Sequence, residues 1–265
     1  MTIDISIIIA VYKDTRNLAL IFEALQLQSL KSFEVIVAED NDGSEMADFI
    51  RVAQQKYFFP IIHVSQPDSG FRKCKALNEA IRQSNSAFLI FIDGDCMPHR
   101  HFIRAHFENR KPKTASYGRR VMLPESLTQK IYARETFKPL SLFTLIANGA
   151  DRLDCACYLP LIPETRKGAI TGIWGCNWSI HKQDLLDING FDEDYQLPGY
   201  GEDTDIEWRL VANGIRLQFI KYQAIQYHLH HKLNYTDTLQ NESLMIRKKQ
   251  ENKIFCHSGI KSPLC

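Results

Sequence analysis

Residues 5–25 read ISIIIAVYKDTRNLALIFEAL, and the reading of this stretch decides the fold. Ile5–Val11 is a continuous apolar, β-branched run, the composition of a strand covered on both faces. After a polar break, Leu18, Ile21, Phe22 and Leu25 recur at i, i+3, i+4 and i+7, the stripe of an amphipathic helix behind an Asp14-Thr15 capping signal. The same unit repeats downstream. Phe33–Ala38 is a second buried strand, closed by the loop-forming cluster Glu39–Ser44, and a helix through Phe49, Ile50 and Ala53 follows. Ile61–Val64 is a short strand, and Gln66–Gly70 leads into a helix carrying Leu77, Ala80 and Ile81. Ala87–Ile92 is a fourth strand. Strands alternating with helices predict the α/β class, with a mostly parallel, Rossmann-like sheet and helices on both of its faces.

The second half is less regular. Residues 124–168 carry several prolines, a Leu/Phe-rich patch (Leu140, Leu142, Phe143, Leu145) and the basic pair Arg166-Lys167, which reads as an insertion of loops and short helices. From Ile170 the pattern tightens into a strand near Trp178–Ile180 and a helix Lys182–Ile188, closed by Asn189-Gly190 in the manner of a left-handed C-cap. A glycine-rich acidic run, a helix ending at Asn213-Gly214 and strands near Leu217–Ile220 and Ala224–Tyr227 complete the region. The last thirty residues are polar and basic, with helical character.

Composition narrows the function classes. The chain has 265 residues, 45% hydrophobic and 24% charged, with a formal net charge of +1, so disorder is excluded and a global basic field for nucleic acid is absent. No apolar run approaches the roughly eighteen residues of a membrane span, and the N-terminus reads as a strand, not a signal peptide. The 7 cysteines are scattered without a C-x-x-C, which suggests reduced thiols and a cytoplasmic setting.

The chemistry collects where strands end. In open α/β sheets ligands bind beyond the carboxyl ends of the strands, near the switch in strand order. Each of the first four strands closes on polar residues: Val11-Tyr12-Lys13, Glu39-Asp40, Asp68–Lys73 and Asp93-Gly94-Asp95. Two carboxylates flanking a glycine can converge on a hard cation such as Mg²⁺ or Mn²⁺, which expects a phosphorylated partner; the competing reading is an Asx turn capping the next helix. Arg72, Lys73 and Lys75 offer cations near a helix start, against the alternative of a solvated basic face. Neither a dinucleotide-binding nor a P-loop glycine motif is present. In Gly199–Asp205 three acids enter a helix behind a Gly-Tyr-Gly lead-in; capping accounts for one of them, and a carboxylate over a crevice can act as a general base. In His228-Leu229-His230-His231 one imidazole could complete a metal's coordination.

Taken together, Ser6–Tyr12, Glu39-Asp40, GFRKCKALNEAI (70–81), DGDCMP (93–98), Gly175–Asn177 and the block from NGFDE (189–193) to GEDTD (201–205) resemble family 2 glycosyltransferases of the GT-A fold. The likeness covers roughly residues 4–231 and is nearest to bacterial polysaccharide and lipopolysaccharide enzymes with a galactosyltransferase-like C-terminal half. It departs at Glu39-Asp40, where two aspartates are usual, and at 124–168, which matches no family element. The resemblance implies a GT-A domain over 1–231 with a nucleotide-sugar half (1–115), an acceptor and catalytic half (116–231) and a small acceptor-side subregion, followed by a basic tail (232–265). It implies transfer from a nucleotide-diphosphate donor, most often a UDP-sugar, with inversion at the anomeric carbon and Mn²⁺ or Mg²⁺ as cofactor. Carried onto this chain, Val11, Tyr12 and Asp40 hold the nucleobase, Arg72 approaches the diphosphate or base, and Asp93 with Gly94 meets the ribose and donor sugar. Asp95 and His228 bind the metal, Asp203 is the base, and Glu202, Trp174 and Asn177 line the sugar and acceptor side.

The implied partners are a nucleotide sugar and a glycan or lipid-linked glycan; nucleic acid is not among them. A lipid-linked acceptor would set the protein peripherally at the inner face of a membrane, with the 139–147 patch and the basic tail as contacts. Two other classes compete: a non-catalytic nucleotide-sugar or glycan-binding subunit, and a nucleotidyltransferase. The latter normally needs a glycine-rich phosphate loop after the first strand, which Val11–Asn17 lacks.

Overall fold

A computed structural model describes residues 3–134, 138–161, 172–199, 201–232 and 239–261. The opening half alternates as the sequence predicts: β1 (Ile5–Val11), α1 (Thr15–Gln26), β2 (Phe33–Glu39), α2 (Ser44–Lys56), β3 (Ile61–Ser65), α3 (Lys73–Gln83) and β4 (Phe88–Asp93). Then come β5 (Cys96–Pro98), α4 (Phe102–Glu108), β6 (Thr114–Tyr117), β7 (Arg119–Met122), α5 (Glu125–Tyr132) and α6 (Leu142–Ala147). A 3₁₀ turn (Leu153–Ala156) precedes β8 (Trp178–His181), α7 (Lys182–Leu186), α8 (Glu202–Ala212), β9 (Arg216–Phe219), β10 (Ile225–His228) and α9 (Leu239–Gln250).

The strands form a seven-stranded sheet, β3-β2-β1-β4-β8-β6-β9, in which β8 alone runs against the others. Its β-branched runs are buried on both faces, and the period of two is visible in the packing. Ile7, Ile9, Val35, Val37, Ile90 and Ile92 join one core with α1 and α2. Ile8, Ile36, Leu89 and Phe91 join another with α3 and α8. The chain builds outward from β1 to β3 and then returns to place β4 on the other side of β1. The carboxyl ends of β1 and β4 therefore flank the switch point, where a crevice must open.

A second sheet, β5-β10-β7, sits at that end. Its register sets His228 opposite Cys96, and the Leu229 N–H donates to the Asp95 carbonyl at 2.9 Å, so residues far apart in sequence meet. Three short strands, β5 and β7 of this sheet and β6 of the larger one, fall between 96 and 122, where the sequence shows no strand signal. They are three or four residues long and mixed in composition, too short to display a period. The region expected as an insertion contains α5, α6 and the 3₁₀ turn; Arg166-Lys167 lies outside the described residues.

The C-terminal segment is partly built into the domain rather than free of it. Lys248 on α9 is buried and pairs with Asp192 and Asp194, and Ile260 N–H donates to the Asn189 carbonyl at 2.9 Å. The NGFDE block is thus a structural junction: the Asn78 side chain binds both the N–H and the carbonyl of Phe191, at 2.9 and 2.8 Å. Asn189 and Gly190 take left-handed backbones with φ of 67° and 73°, as the C-cap reading expects. Below it, fully buried Arg209 bonds Asp205 at 2.6 Å and the carbonyls of Ile188 and Gly190 at 3.1 and 2.8 Å. Arg209→Met strands a buried carboxylate, and urea unfolding is expected to show a loss of roughly 3–5 kcal/mol. A change near zero would mean that Asp205 is satisfied without its cation.

Candidate active site

Two cavities meet at the end of β4. The first, of about 750 Å³, is lined by Val11, Tyr12, Asp40, Asp68, Asp93 and Gly94 among others. The second, of about 720 Å³, holds Arg120, Trp174, Glu202, Asp203, His228 and His230. Phe71, Lys73, Asp93, Asp95 and His231 belong to both and form the partition between them. The aspartate pair and the acid of the late helix therefore face one space.

The Asp93-Gly94-Asp95 turn packs against the end of β1. The Gly94 N–H donates to the Ala10 carbonyl at 2.8 Å, and a Cβ on residue 94 would stand 2.8 Å from that same oxygen, so only glycine fits. Strand β5 follows directly and α4 begins only at Phe102, so the aspartates are not an Asx cap of a helix. Asp93 faces Lys73 at 3.1 Å and Arg120 at 3.8 Å. Asp95 turns the other way, to His228 Nε2 at 3.3 Å and His231 Nε2 at 3.0 Å.

These three residues bring ligand atoms within 4.8 Å of one another, a candidate cation site. One carboxylate oxygen and two imidazole nitrogens suit a first-row divalent ion; imidazole favours Mn²⁺ over Mg²⁺, which prefers oxygen. The buried Nδ1 of His228 has no protein partner, and the ring is held through Nε2 at Asp95 and by contact with the His231 ring. Burial opposes ionisation of Asp95, yet the bonds from His228 and His231 hold its carboxyl well below the usual range. The bond to Asp95 raises His231 to about 9 against the opposing effect of burial.

Across the second cavity, α8 opens at Glu202 behind Gly201, whose φ is 122°. None of its acids caps the helix through its side chain. Asp203 instead accepts the Gly175 N–H at 2.7 Å, and a Cβ on residue 175 would lie 2.8 Å from Asp203 Oδ1. Burial, then the charges of Glu202 and Asp93, push Asp203 up to about 7, while Lys73 and the Gly175 N–H oppose them. Lys73 also reaches Glu202 at 3.5 Å, linking both walls; despite its burial, Asp93, Glu202 and Asp203 hold its ammonium well above the ordinary lysine range.

The remaining predicted residues are placed as follows. Asp40 lines the first cavity but accepts from Gln66 Nε2 at 2.5 Å and from the Arg72 N–H. The Arg72 guanidinium turns to the Pro67 carbonyl and lines neither cavity, whereas its neighbour Lys73 lines both. Lys75 is exposed, as a solvated cation would be. Asn177 is fully buried: it donates to the Arg119 and Ala224 carbonyls at 2.9 Å and contacts His106 at 3.0 Å, so it anchors the Gly175 turn from beneath. Trp174 does line the second cavity, with the guanidinium carbons of Arg119 and Arg152 at 4.4 and 4.8 Å from its ring centre. Tyr200 lies outside the described residues. Two site residues were missed: Arg120 carries no motif signal, and His231 was one of three equivalent imidazoles in the sequence.

A Rossmann-like sheet with switch-point carboxylates, joined to a second sheet and an acid-bearing helix across a shared cleft, is the GT-A fold. The profile described as glycosyl transferase family 2 matches residues 6–185, and that described as N-terminal domain of galactosyltransferase matches 163–232. The chain belongs to glycosyl transferase family 2. Validoxylamine A glucosyltransferase of Streptomyces hygroscopicus subsp. jinggangensis is 24% identical over 214 residues, 72% of this chain and 47% of that protein. Glycosyltransferase AglE of Haloferax volcanii is 29% identical over 101 residues, 37% of this chain and 33% of its own length. The chain thus spans about half, or less, of the curated relatives it matches. S. aureus TarS 1-349 in complex with UDP has a TM-score of 0.61 at 15% identity, over 92% of this chain and 64% of that one. Mannosyltransferase PcManGT from Pyrobaculum calidifontis, in complex with GDP-Man and Mn²⁺, has a TM-score of 0.58 at 14% identity, over 89% and 59%. At these identities the structural likeness is one of fold. No helix among the described residues is long and apolar enough to cross a membrane.

Proposed function

We propose that the chain is a metal-dependent inverting glycosyltransferase. It moves a sugar from a nucleotide-diphosphate donor, a UDP-sugar, to a hydroxyl of a glycan or lipid-linked glycan in bacterial surface polysaccharide or lipopolysaccharide synthesis. The observation that carries this reading is the pair of cavities joined at Asp93–Asp95, one nucleotide-sized and one ending at Asp203. The donor half is assigned to 1–115 and the acceptor half to 116–231, with both contributing residues to each cavity. The complexes of the structural relatives, UDP with TarS and GDP-Man with Mn²⁺ in PcManGT, support the donor class and the cation.

The nucleobase rests over Val11, Tyr12 and Asp40, and Asp93 with Gly94 meets the ribose and donor sugar. Glu202 and Trp174 border the sugar and acceptor. A half-buried Asp203 with a pKa near neutrality accepts the proton of the acceptor hydroxyl as that oxygen attacks the anomeric carbon. The new C–O bond forms as the bond to the diphosphate oxygen breaks, and attack from the opposite face inverts the centre. A cation held by Asp95, His228 and His231, Mn²⁺ in preference to Mg²⁺, supplies positive charge against that developing on the leaving diphosphate. Lys73 adds a fixed cation at the partition and bridges Asp93 and Glu202.

A thermal-shift screen of UDP-, GDP-, dTDP- and CMP-sugars with and without Mn²⁺ tests the reading. A UDP-sugar with Mn²⁺ at about 100 times its Kd is expected to stabilise the fold by about 2.7 kcal/mol, more than any other pair. Stabilisation by UDP with neither hydrolysis nor transfer from any donor would shift the reading to a non-catalytic binding subunit.

A further inference from the structure

We infer, on the reading of Asp203 as the base, that His106 is a positioning residue: through Asn177 it fixes the turn whose Gly175 N–H holds the Asp203 carboxylate. His106 lies on α4, lines neither cavity and is fully buried, so it touches no substrate. Its two ring nitrogens meet two equally buried side chains. Nδ1 stands 2.8 Å from Ser179 Oγ on β8, and Nε2 stands 3.0 Å from Asn177 Oδ1. Asn177 carries the connection onward to the site. Its N–H donates to the Trp174 carbonyl at 3.1 Å, closing the turn over 174–177, and its carbonyl accepts the Gly118 N–H at 3.0 Å. From that turn the Gly175 N–H reaches Asp203 at 2.7 Å.

Donors and acceptors fix the direction of every bond in this chain of contacts. Asn177 Nδ2 spends both of its hydrogens on the Arg119 and Ala224 carbonyls, each at 2.9 Å. The atom turned toward His106 is therefore an acceptor, and the imidazole must present an N–H to it. Burial pushes His106 down to about 3, against the bond to Asn177, so the ring is neutral and carries its one N–H on Nε2. Nδ1 is left to accept the Ser179 hydroxyl. A Cβ on residue 118 would stand 2.5 Å from Asn177 Nδ2 and 2.7 Å from Oδ1, so the amide is boxed in as well as bonded. An apolar residue would fill this helix–sheet contact without desolvating an imidazole; what the polar network adds is a single orientation. That orientation matters at Asp203. The groups facing its carboxylate are Lys73 from α3, Asp93 from β4, Glu202 from α8 and the Gly175 N–H. The last of these favours the charged form, and its place is set by the turn that Asn177 closes.

The test compares two variants of opposite design. His106→Phe keeps a ring and its edge contact with Phe102, at 4.7 Å between centres, but removes the donor to Asn177. His106→Gln loses the ring but carries an amide N–H that can donate in place of Nε2. The carboxyl carbon of Asp203 is followed by NMR in protein labelled at aspartate. It is expected to titrate near 7 in the parent and in His106→Gln, and about half a pH unit higher or more in His106→Phe, because a carboxylate that loses a hydrogen bond holds its proton longer. The acid limb of transfer should move by the same amount. At pH 7 kcat should fall about twofold or more in His106→Phe, with KM for the donor unchanged. Ring-nitrogen spectra of the parent should show the neutral Nε2–H form across neutral pH, a measurement that needs no variant. An unmoved Asp203 titration in His106→Phe, a shift in His106→Gln as large as that in His106→Phe, or an Nδ1–H ring in the parent overturns the inference. Because the titration needs no turnover, a parent that transfers no sugar counts against the catalytic reading alone.

Discussion

Asp203→Asn is expected to lower sugar transfer by about 10²–10⁴-fold while leaving nucleotide-sugar binding intact. The substitution is nearly isosteric. The Asn oxygen can still accept the Gly175 N–H that Asp203 takes at 2.7 Å, so the turn carrying Trp174 keeps its place. What is lost, on the proposed mechanism, is the site that receives the proton. The parent's rate should also follow that site. With Asp203 near 7, transfer falls about tenfold per pH unit below neutrality and levels off above it. The variant's residual rate should lack this limb. Turnover at the parent rate in the variant would remove Asp203 from the role of base.

The same residue predicts an opposite trend in stability. Burial and the charges of Glu202 and Asp93 raise its pKa above that of the unfolded chain, so the native state binds the extra proton. The contribution of Asp203 to stability is therefore fully present below the ordinary aspartate range and is lost as pH climbs through about 7. Asp203→Asn removes the ionisable group and should melt higher than the parent at pH 8 but no higher at pH 4. Activity and stability thus pull apart at one side chain, as expected where a carboxylate is kept desolvated for proton transfer.

What made the fold legible was burial on both faces of β1, β2 and β4, because continuous β-branched runs leave few other structures open. Asp95 and Asp203 could be singled out because each breaks a local pattern: a carboxylate at the end of an apolar strand, and more acids than a helix start requires. Other parts were hidden for physical reasons. Strands β5, β6 and β7 owe their existence to pairing with distant β8, β9 and β10, which no local window contains. Choosing Lys73 over Arg72 needs the direction in which α3 begins. Singling out His231 beside His228 needs the chain path just beyond β10, which brings both rings to Asp95. Asn177 shows the converse. It sits in a stretch that looks like part of the site, yet its amide is spent on two buried backbone carbonyls and on His106.

Asp95→Ala is expected to abolish cation binding, and transfer with it, because the carboxylate is the one anionic group among the three candidate ligands. The argument can be made sharper than a loss. In the metal-free protein the bond to Asp95 keeps His231 protonated up to about 9, and an imidazole must shed that proton before its nitrogen can coordinate. A titration of the parent with Mn²⁺, followed by electron paramagnetic resonance, should therefore release one proton per ion. Its apparent affinity should rise about tenfold per pH unit from pH 7 to 9 and then level off. In Asp95→Ala, His231 returns toward its ordinary value near 6.5, so any residual affinity should be flat across that range. His231→Ala separates the contributions, since it keeps the carboxylate and removes the competing proton: it should bind Mn²⁺ more weakly than the parent at pH 9 and with less pH dependence. EDTA should stop transfer by the parent, and Mn²⁺ should restore it more fully than Mg²⁺, in keeping with two nitrogen ligands. An Asp95→Ala protein that titrates with Mn²⁺ as the parent does would show that the ion sits elsewhere, and the partition between the two cavities would then lose its assigned role.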